Sequence, residues 1–406
     1  MKYYQVVWSV MLLGWLTLYA SRMVFSPCVV SIMDEFQITH VEASLLVSAY
    51  FYPYVVMQFV AGHLGDRLGR KRVLEIGYFA SALISFLMGF SDVFIILLLL
   101  RALFGFAQGF YFANDRSIIS YYTPKEKMGI GQALGFIGGG LGLTLGIILG
   151  GFLTQIYNWR FALSFMSIPL LSVAILIWKL VKEPLSQEGE SGQGARGTTY
   201  WEVFRNRDLW LVSFANFSAL YPFWTISTWA PKAFLDAGIS TLADASIFSS
   251  LFGLSALPGL LVVGLMIDVA KKSITRKMIS SASFILVASL AILTGFGLQY
   301  GFAVWTLALL IFVGGMFNWG LFTVLYTTIA EICPPKIYGT AFGFFNAVGF
   351  LSSFTAPVIA GWLKDIAGSF SYGFYIAGIT AMLGCMAMSM VQKPLSCTMH
   401  ASRCIN

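Results

Sequence analysis

Long apolar runs separated by short polar breaks dominate the chain. Twelve can be drawn, at residues 6–30, 43–61, 73–91, 94–116, 128–154, 161–182, 208–234, 246–268, 277–298, 302–329, 338–363 and 372–391. A helix needs about 20 apolar residues to cross the hydrocarbon core of a bilayer, so this pattern predicts a polytopic helical membrane protein. One separator is both long and polar. Residues 183–207, EPLSQEGESGQGARGTTYWEVFRNR, read as a connector with a short surface helix at 200–204. It divides the chain into six spans and six spans. The expected domains are therefore 1–182 and 208–392, joined by 183–207 and followed by a tail at 393–406.

Composition agrees with this. Hydrophobic residues make up 58% of the chain and charged residues only 11%, against about 25% charged in a soluble domain. The net charge of +7 is explained by topology rather than by a nucleic-acid partner. With the N-terminus placed in the cytoplasm, 20 of the 25 Lys and Arg residues fall on the cytoplasmic side. Arg101, Arg160, Lys232 and Lys364 fall outside, and Arg22 lies inside the first run. This asymmetry puts both termini in the cytoplasm of a plasma-membrane protein by the positive-inside rule. The first apolar run continues into a spanning pattern and shows no cleavage site, so no signal peptide is expected. Cys28, Cys333, Cys385, Cys397 and Cys404 show no metal or redox spacing.

The most informative stretch is Gly62 to Arg72, GHLGDRLGRKR, between the second and third runs. It predicts a tight basic hairpin in which Gly62, Gly65 and Gly69 permit close approach and left-handed turns. In that hairpin Asp66 can cap the next helix or pair with an arginine. Gly62, Asp66, Arg67, Gly69, Arg70 and Lys71 fill the pattern G-x-x-x-D-R-x-G-R-(R/K), and a decayed copy follows at Gly264, Asp268, Lys271, Lys272, Arg276 and Lys277. GQALGF at 131–136 and GTAFGF at 339–344 repeat each other, each after a Pro-Lys pair. On these motifs the chain resembles the major facilitator superfamily. The resemblance implies an all-α membrane protein, with twelve transmembrane helices in two pseudo-symmetric six-helix bundles and a substrate held between them. It assigns Gly62, Asp66, Arg67, Gly69 and Arg70 to a conformational clamp. Asp115 beside Arg116, with Asp268 and Glu331, reads as the rest of the cytoplasmic gate.

Arg22 is the sharpest candidate for substrate contact. An arginine at the centre of a span costs about 2.5–3.5 kcal/mol on insertion scales, so it is expected to face a cavity or a partner. No acid stands nearby in the first run, and Tyr19 and Ser26 share its helix face. Arg101, Phe104, Gln108, Tyr111 and Asp115 recur at helical spacing in the fourth run, with interface snorkelling and cavity lining equal readings for Arg101. Tyr50, Tyr54 and Gln58 form a stripe in the second run; Asn216, Trp224, Trp319, Thr323, Tyr326 and Asn346 are offered by the second half. Gly138, Gly139, Gly140, Gly142, Gly146, Gly150 and Gly151 read as helix packing in the fifth run.

Within the superfamily the chain looks most like the anion:cation symporters of organic acids, on Tyr19-x-x-Arg22, Tyr54-x-x-x-Gln58, Arg101 and Gly343-x-x-Asn346. That likeness implies a carboxylate bound by Arg22, helped by Tyr54, Arg101 and Asn346, with Thr323 and Tyr326 beside the ligand; Tyr19 and Gln108 join the candidate substrate site by their helical spacing. Such symporters commonly carry acids where this chain has Ser21 and Gln108. Uniport, exchange, and coupling to a proton or cation through Asp115 stay open. The expected partners are a small organic anion and the lipid bilayer, for a monomer without nucleic acid, metal or cofactor. A multidrug exporter is the alternative within transporters, and a non-transporting sensor is the alternative outside them. No H-E-x-x-H, G-x-S-x-G or phosphate-binding loop points to an enzyme or a nucleotide-driven pump.

Overall fold

The computed structural model describes residues 2–124, 127–184, 205–269, 273–333 and 338–392, which are helical with short connections. In chain order the helices are α1 Tyr3–Met23, α2 Phe25–Phe36, α3 His40–Leu68, α4 Arg70–Met88, α5 Phe94–Gly109 and α6 Tyr111–Tyr122. Then come α7 Met128–Ile156, α8 Trp159–Phe165, α9 Ser167–Leu180, α10 Arg207–Asp236, α11 Leu242–Leu254 and α12 Ala256–Val269. The last five are α13 Ser273–Tyr300, α14 Val304–Ile332, α15 Tyr338–Phe350, α16 Ser352–Ala367 and α17 Ser371–Ser389. Among the described residues, ten helices, some of them running through a bend, are long and apolar enough to cross a membrane. The expected surface helix at 200–204 lies outside the described residues.

Several breaks are bends rather than ends. Val24, Met166 and Ser255 keep right-handed helical dihedrals between the helices they join. Each stands three residues before a proline, namely Pro27, Pro169 and Pro258. A proline ring removes one N–H and crowds the carbonyl four residues back, which bends the helix at that point. Phe110 and Leu351 make the same kind of joint without a proline at that spacing.

The glycines of α7 are a packing surface. A Cβ at Gly138, Gly142, Gly146 or Gly150 would collide with the main-chain oxygen of Leu12, Leu16, Ala20 or Val24 respectively. One glycine per turn of α7 therefore meets one carbonyl per turn of α1, leaving no room for a Cβ at those four positions. On other sides of α7, Gly140 abuts Ala256 and Gly151 abuts Ser246, both in the second half of the chain.

The basic stretch folds differently from the expected hairpin. Helix α3 continues through Gly62 and Gly65 to Leu68, and the turn is confined to Gly69 at φ 95°. Gly65 is needed for contact, because a Cβ there would overlap the Asn114 side chain; Gly62 has only ordinary contact with Ala113. The amide of Lys71 donates to the Glu183 carboxylate at 3.1 and 3.2 Å, and Lys71 Nζ donates to the Trp178 carbonyl at 2.9 Å. Glu183 thus caps α4, the part the sequence suggested for Asp66. The side chains of Asp66 and Asp268 lie outside the described residues.

Helices α1–α9 pack chiefly on one another, and so do α10–α17; the main crossing contacts are α7 with α11 and α3 with α16. These gather at the face opposite Lys2. There the Asp365 carboxylate accepts from the amides of His40 (3.2 Å) and Val41 (3.0 Å) and meets His40 Nδ1 at 2.5 Å. The Pro357 carbonyl accepts from Ser44 Oγ at 2.9 Å and from Trp229 Nε1 at 3.0 Å. Ser26 Oγ donates to the Thr228 carbonyl at 2.8 Å, and the Ala243 amide to Gln155 Oε1 at 2.8 Å. The two parts of the chain are latched together at that face by a carboxylate on a helix N-terminus and by side chains on main-chain carbonyls.

Candidate functional site

Arg22 lies on α1, two residues before the Pro27 bend, and is 2% exposed. Its guanidinium carbon is 4.7 Å from the Tyr19 ring centre, 4.8 Å from Tyr50, 4.7 Å from Tyr54 and 5.9 Å from Phe51. Nε, Nη1 and Nη2 have no hydrogen-bond partner, and among the described residues no carboxylate pairs with them. Ring faces attract a cation by about 0.5–2 kcal/mol each. They cannot accept the five N–H hydrogens that a guanidinium presents. The result is a preformed cation, held in place by rings and still lacking its acceptors.

Arg101 is the second such group. It is 1% exposed, which removes snorkelling and places it two turns inside α5. Nε donates to the Leu46 carbonyl at 3.1 Å, the guanidinium carbon is 4.0 Å above Phe25 and 5.2 Å from Tyr50, and Nη1 has no partner. Both arginines line one cavity of about 20 Å³ with Phe51, Trp224, Ser227 and Thr228. Ser227 and Thr228 were missed in the sequence, where their only signal was two adjacent hydroxyls inside an apolar run.

A second cavity, about 60 Å³, begins on the other side of the Tyr19 and Tyr54 rings. Trp15, Gln58, Phe136, Trp319, Tyr326 and Asn346 line it as well. Tyr326 donates from its hydroxyl to Asn346 Oδ1 at 2.9 Å, so the expected pair from the second half faces the expected pair from the first. Thr323 lines neither cavity; it is half-buried on α14, its carbonyl accepting from Thr327 Oγ1 at 2.8 Å. Gln108 lines neither of these two cavities. It accepts from the Tyr50 hydroxyl at 2.6 Å and donates to Ser21 Oγ at 3.0 Å, making an uncharged chain beside Arg22.

The expected gate residues spread over the Lys2 face. Asp115 Oδ2 accepts from Trp15 Nε1 at 2.8 Å and sits 3.6 Å from Arg116 Nε. Arg116 itself lies 4.9 Å over Trp15 and 5.3 Å from Phe136, whose ring meets Tyr326 at 5.9 Å. Arg67 is exposed, Arg70 opens α4, and Glu331 stands at the end of α14.

The Major Facilitator Superfamily model matches residues 11–303 and 275–395, nearly the full chain. The chain belongs to the Major Facilitator Superfamily. That is a superfamily of transporters, not enzymes. A probable sulfoacetate transporter of Cupriavidus necator is 26% identical, over 96% of this chain and 94% of its own. A probable galactarate/D-glucarate transporter of Bacillus subtilis is 22% identical, over 93% and 89%. The crystal structure of a D-xylose-proton symporter shares the fold, with a TM-score of 0.78 at 18% identity over 97% of this chain and 99% of that one.

Proposed function

We propose that this superfamily member carries a small organic anion across the plasma membrane by alternating access. In this reading it has twelve spans in two pseudo-symmetric six-helix bundles, residues 1–182 and 208–392. The ten apolar helices together with α3 and α4 support that count. The charge asymmetry makes the Lys2 face cytoplasmic, so the latched face is the outer one. The outer path is then closed by the His40–Asp365 latch and by Phe51 on Trp224, whose rings lie 4.4 Å apart. The protein is taken to act as a monomer.

The observation that carries the substrate class is Arg22, buried with three nitrogens lacking a hydrogen-bond partner and, among the described residues, with no counter-charge. A cation kept this way binds an anion that brings its own acceptors, and a carboxylate fits the planar fork bidentately. Arg101 on the same cavity favours a substrate with two acidic groups. The relatives are named as probable transporters of such acids, sulfoacetate and galactarate or glucarate. Tyr19, Tyr54, Tyr326 and Asn346 then hold the part of the substrate that reaches the cytoplasmic side. A lipophilic-cation exporter fits less well, since among the described residues no carboxylate lines either cavity.

The test has two steps. Purified protein is heated with mono- and dicarboxylates and sulfoacetate; a bound ligand raises the apparent stability by mass action. Ligands found this way are then followed into proteoliposomes, where saturable uptake is expected and is lost in Arg22→Ala. Stabilisation by lipophilic cations alone, or unchanged uptake by Arg22→Ala, overturns the reading.

A further inference from the structure

One ionisable group inside the bundle has no part in holding the anion. Asp115 is fully buried. Oδ2 has the Trp15 indole as its donor at 2.8 Å, while among the described residues Oδ1 has no hydrogen bond within 3.5 Å, the nearby Tyr111 hydroxyl donating instead to the Met11 carbonyl at 3.0 Å. Arg116, its neighbour in sequence, approaches Oδ2 only to 3.6 Å through Nε. Adjacent helical residues point about 100° apart, so the two side chains cannot meet in a bidentate fork. Helices α1, α3, α4 and α7 pack around α6. The groups facing the carboxylate are Trp15 of α1, Tyr78 of α4, and Tyr111 and Arg116 of α6; among the described residues α3 and α7 bring no further charge to it. A bare oxygen of a buried carboxylate is satisfied most simply by a proton of its own.

We propose that Asp115 is the site at which this carrier takes up and releases a proton, Oδ1 gaining it from water on one side and returning it to water on the other. The inference rests on the organic-anion reading and adds the coupling site to it. The link to the anion is continuous. Trp15, which donates to Asp115, stacks on Tyr19 at 5.9 Å, and Tyr19 carries the Arg22 guanidinium on its face at 4.7 Å. Trp15 and Tyr19 also line the cavity on the Lys2 side, which gives the carboxylate a short path to water when that side opens. An anion arriving at Arg22 displaces Tyr19 and Trp15, and the lost indole hydrogen bond leaves Asp115 better served by a proton than by its charge. The neutral Ser21, Gln108 and Tyr50 chain beside Arg22 cannot do this, having no ionisable group of suitable acidity.

Two measurements test it, on the full chain in proteoliposomes. Infrared difference spectra are taken as the pH is raised, without any transported solute, for wild type, Asp115→Asn and Asp115→Glu. The carbonyl stretch of a protonated buried carboxyl is expected to titrate away in the wild type. It is expected to be missing in Asp115→Asn and to return, displaced, in Asp115→Glu. Identical wild-type and Asp115→Asn spectra overturn the proposal whether or not any anion is carried. In the second, sulfoacetate is added to vesicles loaded with a pH-reporting dye. Entry should acidify the lumen in wild type, and the acidification should disappear in Asp115→Asn. Sulfoacetate uptake without acidification in wild type, or acidification preserved in Asp115→Asn, overturns the coupling role while leaving the anion reading intact.

Discussion

Arg22 allows a prediction in which function and stability move separately. A carboxylate in the planar fork makes two charge-assisted hydrogen bonds, each contributing about 1.5–3 kcal/mol. Losing both in Arg22→Met costs about 3–6 kcal/mol, or roughly 10²–10⁴-fold in apparent affinity at about 1.4 kcal/mol per tenfold. Arg22→Lys keeps the charge but not the fork and loses roughly 10–100-fold. Stability responds to other terms. The buried charge costs several kcal/mol in lost hydration, offset by three rings within 5 Å of the guanidinium carbon at about 0.5–2 kcal/mol each. The two terms are of similar size, so Arg22→Met should unfold at nearly the wild-type temperature. An arginine in a structural ion pair behaves otherwise, because removing it strands a buried carboxylate at about 3–5 kcal/mol. Thermal unfolding of ligand-free protein in detergent, beside substrate binding in proteoliposomes, separates the cases. A large drop in the unfolding temperature of Arg22→Met, or unimpaired binding, would refute the assignment.

Four further perturbations probe the surrounding architecture. Gly146→Ala places a Cβ 2.5 Å from the Ala20 carbonyl oxygen, which cannot retreat; it should lower stability by about 1–3 kcal/mol in thermal unfolding. Gly139→Ala, 3.4 Å from the Tyr19 ring, should be close to neutral. Asp365→Asn weakens the latch on His40 and Val41, whose carboxylate is 25% exposed. A loss of about 1.4 kcal/mol makes the outward-open form about tenfold more populated, read as faster labelling of a cysteine at Ser227 by a membrane-impermeant reagent. Gln108→Glu puts a carboxylate in the hydrogen-bonded chain beside Arg22. It should raise the KM for the transported anion by competing for the guanidinium, and an unchanged KM counts against that chain's position.

What could be read from the sequence was whatever follows from burial and periodicity. The apolar runs located the helices to within a few residues, and Arg22 announced itself because a lone arginine in an apolar run has few places to go. The glycines of the fifth run were legible as packing, but not their partners; that each meets a main-chain carbonyl of α1 depends on the relative height of two helices. The expected hairpin at Gly62 to Arg72 failed for a related reason. Charge and glycine density suggested a loop, yet α3 continued to Leu68 because Gly65 packs on Asn114 and Gly69 alone supplies the turn. Glu183 was assigned to a linker by composition, and only the end of α9 brings it onto the amides of α4. Tyr19, Tyr54, Tyr326 and Asn346 line one cavity, but Gln108, singled out by its spacing from Arg101, lines neither that cavity nor the one at Arg22. Periodicity gives a face, not a depth.

The distribution of paired and unpaired charge separates supporting groups from working ones. At the face opposite Lys2, Arg160 holds Glu35 and Asp92, and Lys232 and Lys364 hold Asp236, at 2.6–3.1 Å. These pairs have solvent at hand and neutralise themselves. Inside the bundle, where an unpaired charge is hardest to keep, Arg22 and Arg101 lie on one cavity without an acid, and Asp115 keeps a bare oxygen one helix away. An acid placed beside Arg22 would compete with the anion for the guanidinium. In the proposed coupling, keeping cation and acid apart, joined through Trp15 and Tyr19, lets the anion neutralise one and the proton the other. Loaded with both, the bundle holds an anion against Arg22 and a neutral Asp115, which lowers the cost of exposing the site to each side in turn.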